Sequence, residues 1–121
     1  MRKRVLIFDD DEDLLEIFTF LFEEGGWDVH TRQVCDNPVE TAIQIGPNLI
    51  LMDNWIPSTG GIEATRLLKS DKRTKQIAVI YISANNEIKK LSEQAGADGF
   101  LAKPFDLNTL LAQAEQLSAG K

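Results

Sequence analysis

The chain has 121 residues, 43% of them hydrophobic and 26% charged, with a formal net charge of −6. Those figures fit one domain around one core. The acidic balance excludes a protein that grips a phosphate backbone and disfavours anionic membranes, since both partners need a basic face.

A single cysteine, Cys35, leaves no intrachain disulfide and implies no oxidising compartment, so it reads as a semi-buried small hydrophobe. No apolar run approaches the length of a membrane span. The basic start Met1-Arg2-Lys3-Arg4 is followed by only four apolar residues before the acids begin, well short of a signal peptide's apolar stretch. A cytoplasmic protein without direct nucleic-acid or membrane contact is the expectation.

Val5-Leu6-Ile7-Phe8 is a continuous apolar run that delivers Asp9-Asp10-Asp11-Glu12-Asp13 to its end; such a run suits a strand buried on both faces. From Asp11 the period changes. Leu14, Leu15, Phe18, Leu21 and Phe22 recur at helical spacing, acids fill the first turn and Gly25-Gly26 is the stop, which predicts a helix over roughly residues 11 to 24. Trp27 to Gln33 alternates weakly, as at a sheet edge. Asp36-Asn37-Pro38 sets a cap before a proline in the first turn of a short helix with Val39, Ala42 and Ile43 on one face, ended by Gly46-Pro47.

Leu49-Ile50-Leu51-Met52 is a second continuous apolar run, closed by Asp53 and followed by Asn54-Trp55-Ile56-Pro57. Ala64, Leu67 and Leu68 mark a third helix that runs out in the polar stretch Lys69 to Gln76; the basic residues from Lys69 to Lys75 read as a solvated loop, with a partner-docking patch as the alternative. Ile77 to Ile82 is a third buried strand, ending in Ser83-Ala84-Asn85. A polar helix with the narrow stripe Ile88, Leu91 and Ala95 stops at Gly96. Gly99-Phe100-Leu101-Ala102 is a short last strand leading into Lys103-Pro104-Phe105, and Asp106 caps a final helix with Leu107, Leu110, Leu111, Ala114 and Leu117 facing inward.

Strands alternating with helices in this way imply an α/β domain over residues 1–121. Its sheet is single, parallel and five-stranded, with helices on both faces. In such sheets ligands collect at the carboxyl edge, where the strand ends present Asp9-Asp10, Asp53, Ser83 and Lys103. Carboxylates about 4 Å apart repel by roughly 4 kcal/mol at an intermediate dielectric, so crowded acids take up protons or recruit a cation. Mg²⁺ suits an all-oxygen set and accepts phosphoryl oxygens as further ligands. With a hydroxyl and an ammonium beside it, the set has the parts for phosphoryl transfer onto Asp53 as nucleophile, giving an acyl phosphate.

At these residues the chain resembles, over essentially its full length, the receiver domain of two-component response regulators. The matching pieces are Ile7-Phe8-Asp9-Asp10-Asp11, Leu51-Met52-Asp53 with Ile56-Pro57 and Gly61, Ser83-Ala84, and Gly96-Ala97-Asp98-Gly99-Phe100-Leu101-Ala102-Lys103-Pro104-Phe105. The resemblance implies the flavodoxin-like, CheY-like strand order 2-1-3-4-5, Asp53 as phospho-acceptor, Asp10 as direct metal ligand and Asp9 as ligand through water. It further implies that the Trp55 backbone carbonyl completes the shell of a Mg²⁺ or Mn²⁺ ion, that Ser83 and Lys103 contact the phosphoryl group, and that the Lys103-Pro104 peptide is cis.

As partners it implies a histidine kinase or histidine phosphotransfer protein and a downstream output protein or domain. Ser83 and Phe100 would form the switch on a surface around the fourth helix, last strand and last helix, through which a phosphorylation-dependent homodimer would pair. Such a domain catalyses only its own phosphorylation and dephosphorylation.

Trp55 is a bulky residue for its place, and its indole is expected to lie over the acyl phosphate and hinder water. Ser83 replaces the commoner threonine, and Phe100 lacks the hydroxyl of the commoner tyrosine. Phe20, off the stripe of the first helix, either packs on a neighbour or is an exposed anchor for the phosphodonor; His30, without a partner at ligand spacing, reads as a surface imidazole. Three other readings compete: a phosphorylation-independent pseudo-receiver acting as an interaction module, a flavodoxin-like nucleotide binder, and an aspartyl-phosphate phosphatase. The five acids after the first strand repel a nucleotide's phosphates, and Trp55 stands where the phosphatase would want a second acid.

Overall fold

A strand with no polar face must be covered on both sides, and the computed structural model, which describes residues 2–56, 59–84 and 86–119, covers it so. Met1, Pro57 and Asn85, named above, lie outside the described residues, as do Ser58, Gly120 and Lys121. In chain order the elements are β1 (Arg4–Phe8), α1 (Glu12–Glu24), β2 (Asp28–Arg32), α2 (Pro38–Ile45), β3 (Leu49–Asp53), α3 (Gly61–Ser70), β4 (Ala78–Ser83), α4 (Ile88–Ala95), β5 (Gly99–Ala102) and α5 (Leu107–Ser118). All neighbouring strands pair parallel, in the order β2-β1-β3-β4-β5. This is the strand order implied by the resemblance.

Every residue of β3 and β4 is buried, while β2, at the edge, has only half-buried and exposed ones. Alternation along the strands splits the core into two apolar layers. Val5, Ile7, Leu49, Leu51, Ile80 and Ile82 pack with Phe18 and Phe22 of α1 and Leu110 and Ala114 of α5. Leu6, Phe8, Ile50, Met52, Val79 and Tyr81 face Ala42 of α2, Ala64 and Leu68 of α3 and Ile88 of α4. Side chains of this size each contribute about 1.5 to 3 kcal/mol on full burial; consistency between the two layers fixes the register, because a one-residue slip would exchange them.

The helix ends follow their local chemistry. Asp11 caps α1 by accepting from the backbone N–H groups of Asp13 and Leu14, Asn37 accepts from Glu40 ahead of Pro38, and Asp106 accepts from Asn108. Each satisfies a donor that a helix start leaves over. Gly46 and Gly96 close α2 and α4 in the left-handed conformation, which costs a residue without Cβ nothing.

Some expectations need correcting. Trp27 precedes the edge strand and is buried, meeting Phe22 edge-on and donating from Nε1 to Glu115. Cys35 is fully buried. His30 is half-buried on β2, with Nε2 3.3 Å from Asp28 Oδ2. The stretch Lys69 to Gln76 is not all solvated. Thr74 is buried and donates to the Leu68 carbonyl, while Lys69 Nζ donates to the Ile77 carbonyl at 2.9 Å and to Asp98 Oδ2 at 2.8 Å. The same Asp98 oxygen accepts from the Val79 N–H, so the end of α3 is fastened to the foot of β4 and the entry to β5.

Candidate functional site

β1 and β3 are neighbours and both end in acids, so the topology brings Asp9 and Asp53 to the same edge. Asp10 follows in the turn before α1. One carboxylate oxygen from each of Asp9, Asp10 and Asp53 lies within 4.8 Å of the others, with Asp9 and Asp53 buried and Asp10 exposed. Asp11 is separate in role: its side chain is the α1 cap.

Asp9 is 1% exposed. Its Oδ1 accepts from the Asp11 backbone N–H at 3.0 Å, and its Oδ2 is buried with no protein hydrogen-bond partner. Its pKa is pushed up from 3.8 to about 6, first by burial and then by the charges of Asp53 and Asp10, against the opposing pull of the Asp11 N–H and of Lys103. A buried carboxylate oxygen without a partner is costly. A hard cation removes that cost, and this all-oxygen donor set fits one: Asp9, Asp10 and Asp53 are the residues that would hold it.

β4 and β5 supply the other two groups. Ser83 is buried at the tip of β4, and its carbonyl accepts from the Lys103 backbone N–H at 2.9 Å. The Lys103 side chain turns to the acids, with Nζ 2.9 Å from Asp53 Oδ1. Burial works against the ammonium's charge, but the Asp53 hydrogen bond and the charges of Asp53, Asp9 and Asp11 outweigh it and raise its pKa above the ordinary lysine value. The Lys103-Pro104 peptide is cis, and Phe105 just beyond it stacks on Phe18 of α1 with ring centroids 5.7 Å apart.

The turn after β3 carries Trp55. Its backbone N–H donates to Asp53 Oδ2 at 3.0 Å, so both carboxylate oxygens of Asp53 are engaged. The indole is 80% exposed and borders a shallow groove with Thr59, Ile62 and Leu91. Phe100 lies opposite Tyr81 in the β4–β5 register, with its ring partly at the surface. Phe20 is 67% exposed beside Ile17 and Leu107, so its ring is not packed away against a neighbouring helix.

Two features went beyond what the sequence pattern showed: a polar tie at Tyr81, which had no signal, and the close approach at Gly61, which the sequence marked only as a matching residue. Tyr81, wholly buried in the second apolar layer, donates its hydroxyl to Asn54 Oδ1, next to Asp53. Gly61 opens α3 so close to the same turn that a Cβ there would stand 2.5 Å from the Asp53 carbonyl oxygen and 2.9 Å from Asn54 Cα. A tyrosine inside an apolar run is counted simply as apolar, although its position two residues before Ser83 puts both on the same face of the strand.

Comparison with known proteins agrees with this architecture. The DNA-binding dual master transcriptional regulator RpaA of Synechocystis is 32% identical over 116 residues, which cover 94% of this chain and 48% of that protein. The phosphate regulon transcriptional regulatory protein PhoB of Pseudomonas aeruginosa is 32% identical over 115 residues, covering 92% and 49%. The chain thus spans about half the length of the curated relatives it matches. Among solved structures, the receiver domain of sensor histidine kinase PA1611 from Pseudomonas aeruginosa PAO1, which has a magnesium ion coordinated in its active site cleft, superposes with a TM-score of 0.89 at 22% identity, covering 99% of this chain and 100% of that one. The chemotaxis protein CheY4 of Vibrio cholerae gives 0.83 at 21% identity over 97% and 99%; both share the fold. The model of the response regulator receiver domain matches residues 5–115. That match runs from β1 into α5, and the chain therefore belongs to the response regulator receiver domain family.

Proposed function

We propose that residues 1–121 act as one phospho-accepting receiver, in which Asp53 takes a phosphoryl group from a phosphohistidine of a histidine kinase or histidine phosphotransfer protein. An Asp53 carboxylate oxygen attacks phosphorus, the P–N bond breaks, and its electron pair leaves with the imidazole. Lys103 neutralises charge on one phosphoryl oxygen and the Ser83 hydroxyl donates to another. Asp9, through water, with Asp10, Asp53 and the Trp55 carbonyl, would hold Mg²⁺ or Mn²⁺, which supplies charge neutralisation between the acids and the incoming phosphoryl group. The domain catalyses its own phosphorylation and dephosphorylation and turns over no external substrate.

The acyl phosphate carries a charge of about −2 where the carboxylate carried −1, and it draws Ser83 inward. With Phe100 following, the α4-β5-α5 surface changes shape and becomes the site for an output protein or domain, or for a second copy of the chain in a homodimer. The setting is cytoplasmic, with contact to neither nucleic acid nor membrane by the receiver itself. The observation that carries the reading is the Lys103 ammonium 2.9 Å from Asp53 Oδ1, beside a carboxylate cluster with a partnerless buried oxygen. It weighs against the phosphorylation-independent module, which has no use for such a set.

Acetyl phosphate with Mg²⁺ is the direct test. Intact-mass measurement should show one added phosphoryl group, lost in Asp53→Asn and on chelation of the metal. An unlabelled wild-type protein, or labelling that survives Asp53→Asn, overturns the proposal.

A further inference from the structure

The turn that follows Asp53 is held from several sides at one residue. The Asn54 backbone N–H donates to the Ile82 carbonyl at 2.9 Å, which extends the β3–β4 ladder past the acceptor. Its carbonyl accepts from the Gly61 N–H at 3.2 Å, at the start of α3. Its side-chain Oδ1 accepts from the Tyr81 hydroxyl. The first two ties are main-chain bonds that any residue could make. The third depends on side-chain chemistry, and it joins the acceptor turn to β4 two residues before Ser83.

Tyr81 is an odd residue for its place unless that bond matters. Its ring lies fully buried among Phe8, Met52, Ile56 and Ile88, a site a plain hydrocarbon would fill without a hydroxyl to satisfy. Burial and the Asp53 charge hold the phenol's pKa up at about 12, so it remains a donor at every working pH. Asn54 sits between the acceptor carboxylate and Trp55, whose backbone N–H is bonded to Asp53 Oδ2. Fixing the Asn54 side chain therefore fixes the direction in which the next peptides leave the strand.

We propose that Tyr81 is a positioning residue for the metal-dependent step: through Asn54 it holds the Asp53–Trp55 turn so that the Asp53 carboxylate and the Trp55 carbonyl converge on the cation with Asp9 and Asp10. Tyr81 itself touches neither metal nor phosphoryl group. This rests on the reading of Asp53 as a metal-assisted acceptor, and it adds that the affinity for the ion is set from inside the core.

The test is Mg²⁺ affinity, measured by isothermal titration on the full chain and separately from any labelling. Tyr81→Phe keeps the ring and removes only the hydroxyl; it should weaken Mg²⁺ binding about tenfold, the low end of what outer-shell partners contribute to metal sites. Asn54→Ala removes the acceptor from the partly exposed side without touching the core and should weaken binding to a similar degree. In the double variant Tyr81→Phe with Asn54→Leu both polar partners are gone, so thermal stability should recover toward wild type while the weakened affinity stays.

Wild-type Mg²⁺ affinity in Tyr81→Phe, or in Asn54→Ala should the first variant fail to fold, overturns the proposal and makes the bond structural only. Wild-type protein that binds no Mg²⁺ would instead overturn the acceptor-site reading beneath it, a distinct result.

Discussion

Lys103 is tied to two neighbouring strands at once: its backbone N–H bonds the Ser83 carbonyl and its ammonium bonds Asp53 Oδ1, each at 2.9 Å. The lysine therefore reads the charge on β3 from a position locked to β4. Replacing it with Met keeps the aliphatic stem and removes the cation. Lys103→Met should slow Mg²⁺-dependent labelling by acetyl phosphate about a hundredfold, as loss of one preorganised charge-stabilising group does. Intact-mass time courses check this, and an unchanged rate would remove Lys103 from the chemistry.

The pH behaviour follows from Asp9, whose pKa stands at about 6 in the fold against 3.8 unperturbed. The folded state binds this proton more tightly than the unfolded chain, so stability falls as pH climbs from near 4 to near 6 and is level beyond, a loss of about 3 kcal/mol from this group. A bound cation takes the proton's place. Stabilisation by saturating Mg²⁺ should accordingly be full near pH 8 and fade as pH drops through about 6. Asp9→Asn should raise metal-free stability near pH 8 by about 1 to 3 kcal/mol and abolish the Mg²⁺ increment. Thermal melts across pH with and without the ion would show it.

Gly61 has no space for a methyl group, since the Asp53 carbonyl oxygen and Asn54 Cα would both be too close. Both obstacles are backbone, so the turn after Asp53 itself has to give way. Gly61→Ala should cost about 1 to 3 kcal/mol in urea unfolding, as overpacking does, and should weaken Mg²⁺ binding through the displaced turn. A variant with normal unfolding and normal metal affinity would contradict this close approach.

Trp55 presents a largely exposed indole beside Thr59, Ile62 and Leu91, while its backbone N–H holds Asp53 Oδ2. If the ring folds back over the acyl phosphate, as the sequence suggested, Trp55→Asn should shorten the lifetime of phospho-Asp53 several-fold by admitting water. Decay followed by intact mass decides between a shield and a purely outward ring.

Much of this was legible beforehand, for identifiable reasons. β1, β3 and β4 are written as unbroken apolar runs because both faces are covered, and the chemistry sits at their ends because topology delivers it there. Asp9, Asp53, Ser83 and Lys103 could thus be named before any coordinates. Pairings between side chains of different elements carry no period and stayed hidden. Lys69 looked solvated until Asp98, far along the chain, was seen beside it. Tyr81 looked like one more core residue because an apolar count ignores its hydroxyl. The acids that follow β1 divided in a way that composition could not show, Asp11 going to the helix cap and its two predecessors to the cluster.

The Asp98 junction described above limits how this sheet can respond. With one carboxylate oxygen clamping the Val79 amide and the Lys69 ammonium, β4 and β5 are bolted together at the end opposite the acids. A change at Asp53 thus has little freedom to slide one strand along the other; it acts as a torque on their free tips. The foot should stay still, with amide exchange at Val79 unaffected by the state of the distant carboxylate.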